Sequence, residues 1–268
     1  MISSLTAAHP GKRERSVKWA QGRDVFIRVF ALECQPELLT SLHHLVSSVK
    51  TRDKILKKSL ALFNAQGERK VSTNHIAAAL SMSPGTLYYH FRNKDEIIFE
   101  LFSRYEAGTL ALLMVPGDRH LTYADKLGYF EGILNNMWEY RFLHRDLEHL
   151  LGDNPSLQER YQQFGRQVMV QGQRIYRRLA ESGLVEAEAE AVDALILNIW
   201  VIITSWISFL HTSGIFGSSG TISRDLLRRG IYQIILLEAP YLRGEAREKL
   251  PEMKARYGEH PKPVPAKN

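Results

Sequence analysis

Within residues 72–96 three helix-start signals fall so close together that only short helices fit between them. Ser72 or Thr73 can cap a helix that turns Ile76, Ala77 and Leu80 inward. Ser81-Met82-Ser83 makes a tight turn, and Ser83 caps a helix whose first residue is Pro84, where the missing N–H would have no partner anyway. That helix ends near Phe91. Asn93 caps the next one, with Glu96 spaced to reach back in a capping box, and the helix should run to about Met114. Two short helices joined by so tight a turn cannot bury enough apolar surface by themselves. A helix from about Thr51 to Gln66 supplies the support: Ile55, Leu56, Ser59, Leu62 and Phe63 share one face, Lys54, Lys57 and Lys58 lie largely outside it, and Gly67 stops it. Ala77 is small where the helices must approach, and Met82, Leu87 and Phe91 complete a little core. The pattern predicts a trihelical unit with a helix-turn-helix at residues 72–91.

The outer face of the third helix is left with Pro84, Gly85, Thr86, Tyr89 and His90, none of them acidic. A surface pressed against nucleic acid has this character, because a carboxylate would repel phosphates, whereas Tyr and Thr hydroxyls donate to phosphate oxygens or base edges. Tyr88 reads either as a core aromatic or as a half-buried ring whose hydroxyl reaches phosphate. Charge points the same way. Residues 49–95 hold nine Lys or Arg against three acids, a surplus of six, while residues 96–268 hold 20 bases and 22 acids. A small basic segment on a near-neutral body is the footprint of a nucleic-acid reader, although a solvated Lys-rich helix has the same composition.

The run over residues 55–102 resembles the N-terminal domain of TetR-family regulators. Its most specific part is Ser83-Pro84-Gly85-Thr86-Leu87-Tyr88-Tyr89-His90-Phe91 followed by Asn93-Lys94. The resemblance implies that the third helix enters the major groove of double-stranded DNA. It further implies phosphate contacts from Thr73, Tyr88, Tyr89 and Lys94, and base contacts from the start of that helix, Ser83 to Thr86. Asn74 stands where some relatives carry a longer base-reading side chain. Lys50 and Arg52 are expected to form a basic arm near the backbone or minor groove. Tyr89→Ala and Lys94→Ala are expected to weaken DNA binding without disturbing the fold.

The rest of the chain reads as a larger helical body over residues 98–257, with a disordered tail over 258–268 that holds Pro261, Pro263 and Pro265. Leu157, Tyr161, Phe164, Val168, Gln171, Ile175 and Leu179 mark one stripe along a helix that starts after Asn154-Pro155. Gly165 and Gly172 in that helix leave room either for a ligand or for close packing. Residues 194–210 carry no charge; they read as a short membrane span or as a helix buried on two sides, against its own domain and against a second subunit, and the second reading is adopted. The family's use of its last two long helices as an intersubunit bundle implies a homodimer through Ile202, Trp206, Phe209, Leu227, Ile231 and Ile234, and hence a palindromic operator. Candidate walls of an effector pocket are Phe130, Leu134, Trp138, Phe142, Phe164, Val168 and Trp200, suited to a lipophilic or aromatic small molecule.

His144 and Glu148, four apart, could present two ligands to zinc, or are simply surface polar residues. No metal or other cofactor is expected. The chain has no Gly-rich phosphate loop, nucleophile elbow or HExxH pair, so no enzyme is expected either. One cysteine, Cys34, and an N-terminus without a basic-then-apolar leader suit the cytoplasm. Residues 1–48 show only short apolar patches at 25–32 and 38–46 and read as an extension outside the DNA-binding domain at 49–97, as an upstream start assignment would produce. The expectation is an all-α regulator, a repressor by family default, released from DNA by an effector. A DNA-binding protein of the same fold that senses nothing, or one that responds to metal, is the alternative.

Overall fold

A computed structural model describes residues 36–117, 119–215 and 222–258. Residues 1–35, which include Cys34, and the proline-bearing tail beyond residue 258 lie outside the described residues. The chain divides into two units, Met1–Lys50 and Thr51–Asn268. Among the described residues there is no strand, only a single antiparallel bridge between Val185 and Leu242.

The supporting helix α1 spans Pro36–Gln66, not about Thr51 to Gln66. The helix begins at Pro36, a favoured first helical residue, well before the basic segment whose apolar spacing marks the supporting face. At its other end Gly67 has φ 93, a left-handed conformation that costs a side-chain-bearing residue about 1 kcal/mol or more, and a 3₁₀ turn Glu68–Lys70 follows. Helix α2 (Thr73–Ala79) is capped by Ser72, whose Oγ accepts from the His75 N–H; the His75 ring reaches back to the Ser72 N–H. Helix α3 (Pro84–His90) is capped by Ser83. Helix α4 (Lys94–Leu112) is capped by Asn93, but Glu96 accepts from the Arg92 N–H, one residue before the N–H a capping box uses.

Ile55, Leu56, Phe63, Ile76, Leu87 and Phe91 are wholly buried, so the three-helix core forms as its apolar spacing requires. Each such side chain contributes about 1.5–3 kcal/mol by leaving water. That core does not end with the helix-turn-helix. It continues through Ile97, Leu101, Phe102 and Tyr105 of α4 into Phe142, Leu150, Leu157 and Phe164. Helix α4 therefore belongs to both parts.

The body is built from α5 (Tyr123–Glu139), α6 (Arg141–Arg145), α7 (Leu147–Gly152), α8 (Pro155–Glu181), α9 (Ala189–Ser213) and α10 (Arg224–Glu238). After a 3₁₀ turn, Ala239–Tyr241, come α11 (Gly244–Glu248) and α12 (Leu250–Gly258). These last two were not anticipated; α12 buries Leu250, Met253 and Tyr257. The stripe expected on α8 is observed, with Leu157, Phe164, Ile175 and Leu179 buried. Helices α9 and α10 pack so closely that a Cβ on Gly230 would lie 2.9 Å from the Trp206 indole, which is why that position has no side chain.

Candidate nucleic-acid interface and internal cavity

Capping decides which way the reading helix faces. With Leu87 and Phe91 turned into the core, Ser83, Pro84, Gly85, Thr86, Tyr88 and Tyr89 are left in solvent, as is Asn74 on α2. Tyr89 is 76% exposed and Tyr88 49% exposed, so Tyr88 is a half-exposed ring and not a core aromatic. The Tyr88 hydroxyl lies 3.0 Å from Thr73 Oγ1. Two groups expected to contact phosphate thus stand side by side, each orienting the other. Thr86 and Ser83 share a second hydroxyl pair at 2.9 Å, which ties both to the helix cap. His90 is half-buried beside Tyr89, and burial followed by the Arg52 charge lowers its pKa.

Beside this face runs an open groove lined by Arg69, Lys70, Ser72, Thr73, His75, Tyr88, Arg92, Asn93 and Lys94. Arg69, Lys70, His75 and Arg92 were not among the expected contacts. The surplus of basic residues in this segment was the signal available, but a charge count cannot say which cations share a groove.

Two expected contacts have a different first duty. Arg52 is no loose arm: Nη1 donates to the His90 carbonyl at 2.7 Å, its guanidinium stacks 4.1 Å from the Phe91 ring centroid, and Glu96 and Glu100 lie at 3.7 and 3.5 Å. It is a latch on the end of α3. Lys50 is exposed. Lys94 Nζ sits 2.5 Å from Oε1 of Glu68, whose side chain is nearly buried. Glu68 Oε2 has no hydrogen-bond partner and has His149 Nε2 3.9 Å away. Lys94→Ala is therefore expected to cost about 1–3 kcal/mol of stability, because the carboxylate would remain buried without its cation. Urea unfolding of the variant measures this, and an unchanged midpoint would contradict the pairing.

Inside the body lies a cavity of about 110 Å³, walled by α4, α5, α8, α9 and the end of α10. Of the expected wall residues it includes Phe130, Phe164, Val168 and Trp200. The other three point elsewhere. Leu134 is in the body core, Phe142 packs 5.2 Å from the Phe63 ring, and Trp138 lies against Arg141. Periodicity placed all seven on apolar faces, but one helix has several neighbours and only tertiary packing distinguishes them. Gly172 forms part of the wall, and a Cβ there would meet Ile196 at 2.9 Å, so it serves both close packing and the cavity.

The cavity also holds what the sequence reading missed, a buried polar triad. Lys126 Nζ is 2.5 Å from Glu238 Oε2, the Tyr176 hydroxyl donates to Glu238 Oε1, and all three residues belong to the wall. Burial, then the adjoining carboxylate, pushes the Tyr176 pKa well up, so the phenol keeps its proton. The clue was available: Lys126 is one turn before Phe130, and Glu238 is three residues after Ile235, so each charge interrupts a buried stripe.

His144 and Glu148 do not form a ligand pair. The chain breaks helix at Asp146, which leaves His144 buried on α6 and Glu148 exposed on α7, and no metal-ligating group of three is found among the described residues. Burial lowers the His144 pKa from 6.5 to about 4, opposed by a hydrogen bond with the Thr204 backbone. Below about pH 6.5 the unfolded chain takes up a proton that the folded one refuses until about pH 4, so stability is intact above the first value and falls between the two. The loss is on the order of 3 kcal/mol. Urea unfolding at about pH 7 and about pH 4.5 should show a smaller acid loss for His144→Asn than for the parent; equal losses would contradict this.

The dimer residues also need revision. Leu227, Ile231 and Ile234 are buried within their own subunit, as is Trp206, whose indole N–H donates to the Leu226 carbonyl at 2.8 Å. Ile202 is partly buried, and Phe209 stays exposed. The stripe selected from the sequence was the inner one. The outer apolar residues are Leu197, Val201, Phe209 and Leu236.

The family model described as a bacterial transcriptional repressor, TetR, matches residues 104–250, and that for the bacterial regulatory proteins of the tetR family matches residues 55–101. The chain belongs to the TetR family. A TetR-family transcriptional regulator from Marinobacter aquaeolei is similar at 43% identity and TM-score 0.70, covering 77% of this chain and 98% of that one. Over 66 residues the chain is 35% identical to the regulator TcmR of Streptomyces glaucescens, and over 55 residues 33% identical to the probable acrEF/envCD operon repressor of Escherichia coli. These matches cover 25% and 20% of this chain, and 29% and 25% of the two relatives. As a TetR-family member the chain is a DNA-binding transcriptional regulator, and its helix-turn-helix lies within the segment matched at residues 55–101.

Proposed function

We propose that the chain is a cytoplasmic repressor that binds a palindromic operator as a homodimer and is released by a small apolar effector. The observation that carries the DNA-binding part is the acid-free outer face of α3, with the Thr73–Tyr88 hydroxyl pair and the basic groove beside it. Ser83 to Thr86 meet base edges, with Asn74 beside them, while Thr73, Tyr88, Tyr89, Arg69, Lys70 and Arg92 meet phosphates. Lys94 holds the carboxylate and the carbonyl of Glu68 on two donors and offers the third to the DNA backbone. Fluorescence anisotropy with genomic duplexes tests the reading. Affinity should fall steeply with salt, and an affinity indifferent to salt would refute it.

The homodimer is supported by α9. It is long and apolar enough to cross a membrane by composition alone, yet Asp193, Asn198 and Ser205 are exposed among Leu197, Val201 and Phe209. A second subunit accepts such a mixed face better than lipid does. Leu197→Glu combined with Val201→Glu is expected to halve the mass found by sedimentation equilibrium; an unchanged mass would refute this interface.

A further inference from the structure

The chemistry of the cavity wall narrows what can occupy it. Most of the wall is aliphatic or aromatic, including Phe130, Ile133, Phe164, Ile199 and Trp200. Apolar cavities of roughly 150 Å³ take up benzene, so this space of about 110 Å³ admits a ring-sized molecule once a wall side chain shifts to enlarge it. The charged part is Lys126 and Glu238, with Tyr176 beside them; the Asn136 amide N–H groups, also in the wall, are already taken by Thr109 Oγ1 and the Tyr105 carbonyl. The formal charges of Lys126 and Glu238 already cancel, and both Glu238 oxygens are engaged, one by Lys126 and one by Tyr176. An ammonium has three N–H donors. One goes to Glu238, and the Nζ stands 4.7 Å from the centroid of Phe130, itself a wall residue.

We propose that the cavity takes an uncharged, largely apolar molecule carrying one hydrogen-bond-accepting oxygen, such as a ketone, ester or lactone carbonyl, bound by Lys126. An anionic ligand would leave a net negative charge in an apolar enclosure, or displace Glu238 and strand it; either costs several kcal/mol. A cation would compete with Lys126 for the same carboxylate. A pure hydrocarbon would fill the space but leave the Lys126 donors dry. The inference rests on the reading of this cavity as the effector site and specifies what that site selects.

Four probes sharing a six-membered ring test it on the full chain by titration calorimetry: cyclohexanone, methylcyclohexane, cyclohexanecarboxylate and cyclohexylamine. Cyclohexanone should bind at least about tenfold tighter than methylcyclohexane, the value of one hydrogen bond to a charged donor, and neither ion should bind. Binding of either ion as tightly as the ketone, or no binding by any probe, overturns the inference. Lys126→Met with Glu238→Gln removes both charges together and so avoids stranding either one. This double variant should keep methylcyclohexane and lose the preference for the ketone; a preserved preference would exclude Lys126 as the donor. Operator affinity measured with and without cyclohexanone separates the two readings. If the ketone binds but the duplex affinity is unchanged, the effector reading falls while the ligand class stands.

Discussion

Glu238→Ala is expected to destabilise the protein by about 3–5 kcal/mol, the range for breaking a buried ion pair from one side. Lys126 and Glu238 are each 2% exposed, so water cannot replace the lost carboxylate. The variant strands an ammonium among aromatic rings and deprives the Tyr176 hydroxyl of its acceptor. For a body of this size each kcal/mol shifts Tm by roughly 2–4 °C, so a fall of about 10 °C is expected. Lys126→Met together with Glu238→Gln should recover most of it, because no charge is then left alone. High salt should change the parent's Tm little, since a buried pair is poorly screened. Thermal unfolding followed by circular dichroism decides the matter: a loss below about 1 kcal/mol would mean that solvent reaches the pair.

Phe91→Ala and Tyr89→Ala, two residues apart, are expected to fail in opposite ways. Phe91 is wholly buried under the Arg52 guanidinium, and truncating it should cost about 3–5 kcal/mol through lost burial and the cavity left behind. Because the same ring anchors the end of α3, DNA binding should disappear with the head's structure. Tyr89, 76% exposed, should cost no more than about 0.5 kcal/mol of stability. Its loss should nevertheless weaken operator binding about tenfold, as expected for one hydrogen bond and its ring contact. Urea unfolding and anisotropy on the same samples separate the outcomes. Tyr89→Ala unfolding early would make the residue structural, and Phe91→Ala binding at parental affinity would mean that the latch is dispensable.

Much of the DNA-binding head was legible because its determinants are local. Ser83, Pro84 and Asn93 act within one turn of themselves, and Ile55, Phe63, Leu87 and Phe91 follow helical spacing. The cavity was legible only in part. Phe142 and Trp138 looked as suitable as Phe130 and Trp200, and the charges at Lys126 and Glu238 were passed over although each interrupts an apolar stripe.

By itself the sequence determined the caps of α2, α3 and α4, the acid-free face of α3, the stripe of α8 and the family. These depend on caps, spacing and composition within a few turns of chain. Only the tertiary structure decided that Arg52 and Lys94 are held by Glu96, Glu100 and Glu68, that Leu227 and Ile231 face inward, and that residues 112 positions apart form the Lys126–Glu238 pair. A helix periodicity says that one side is apolar; which neighbour covers it depends on how distant helices cross, and no local signal carries that information.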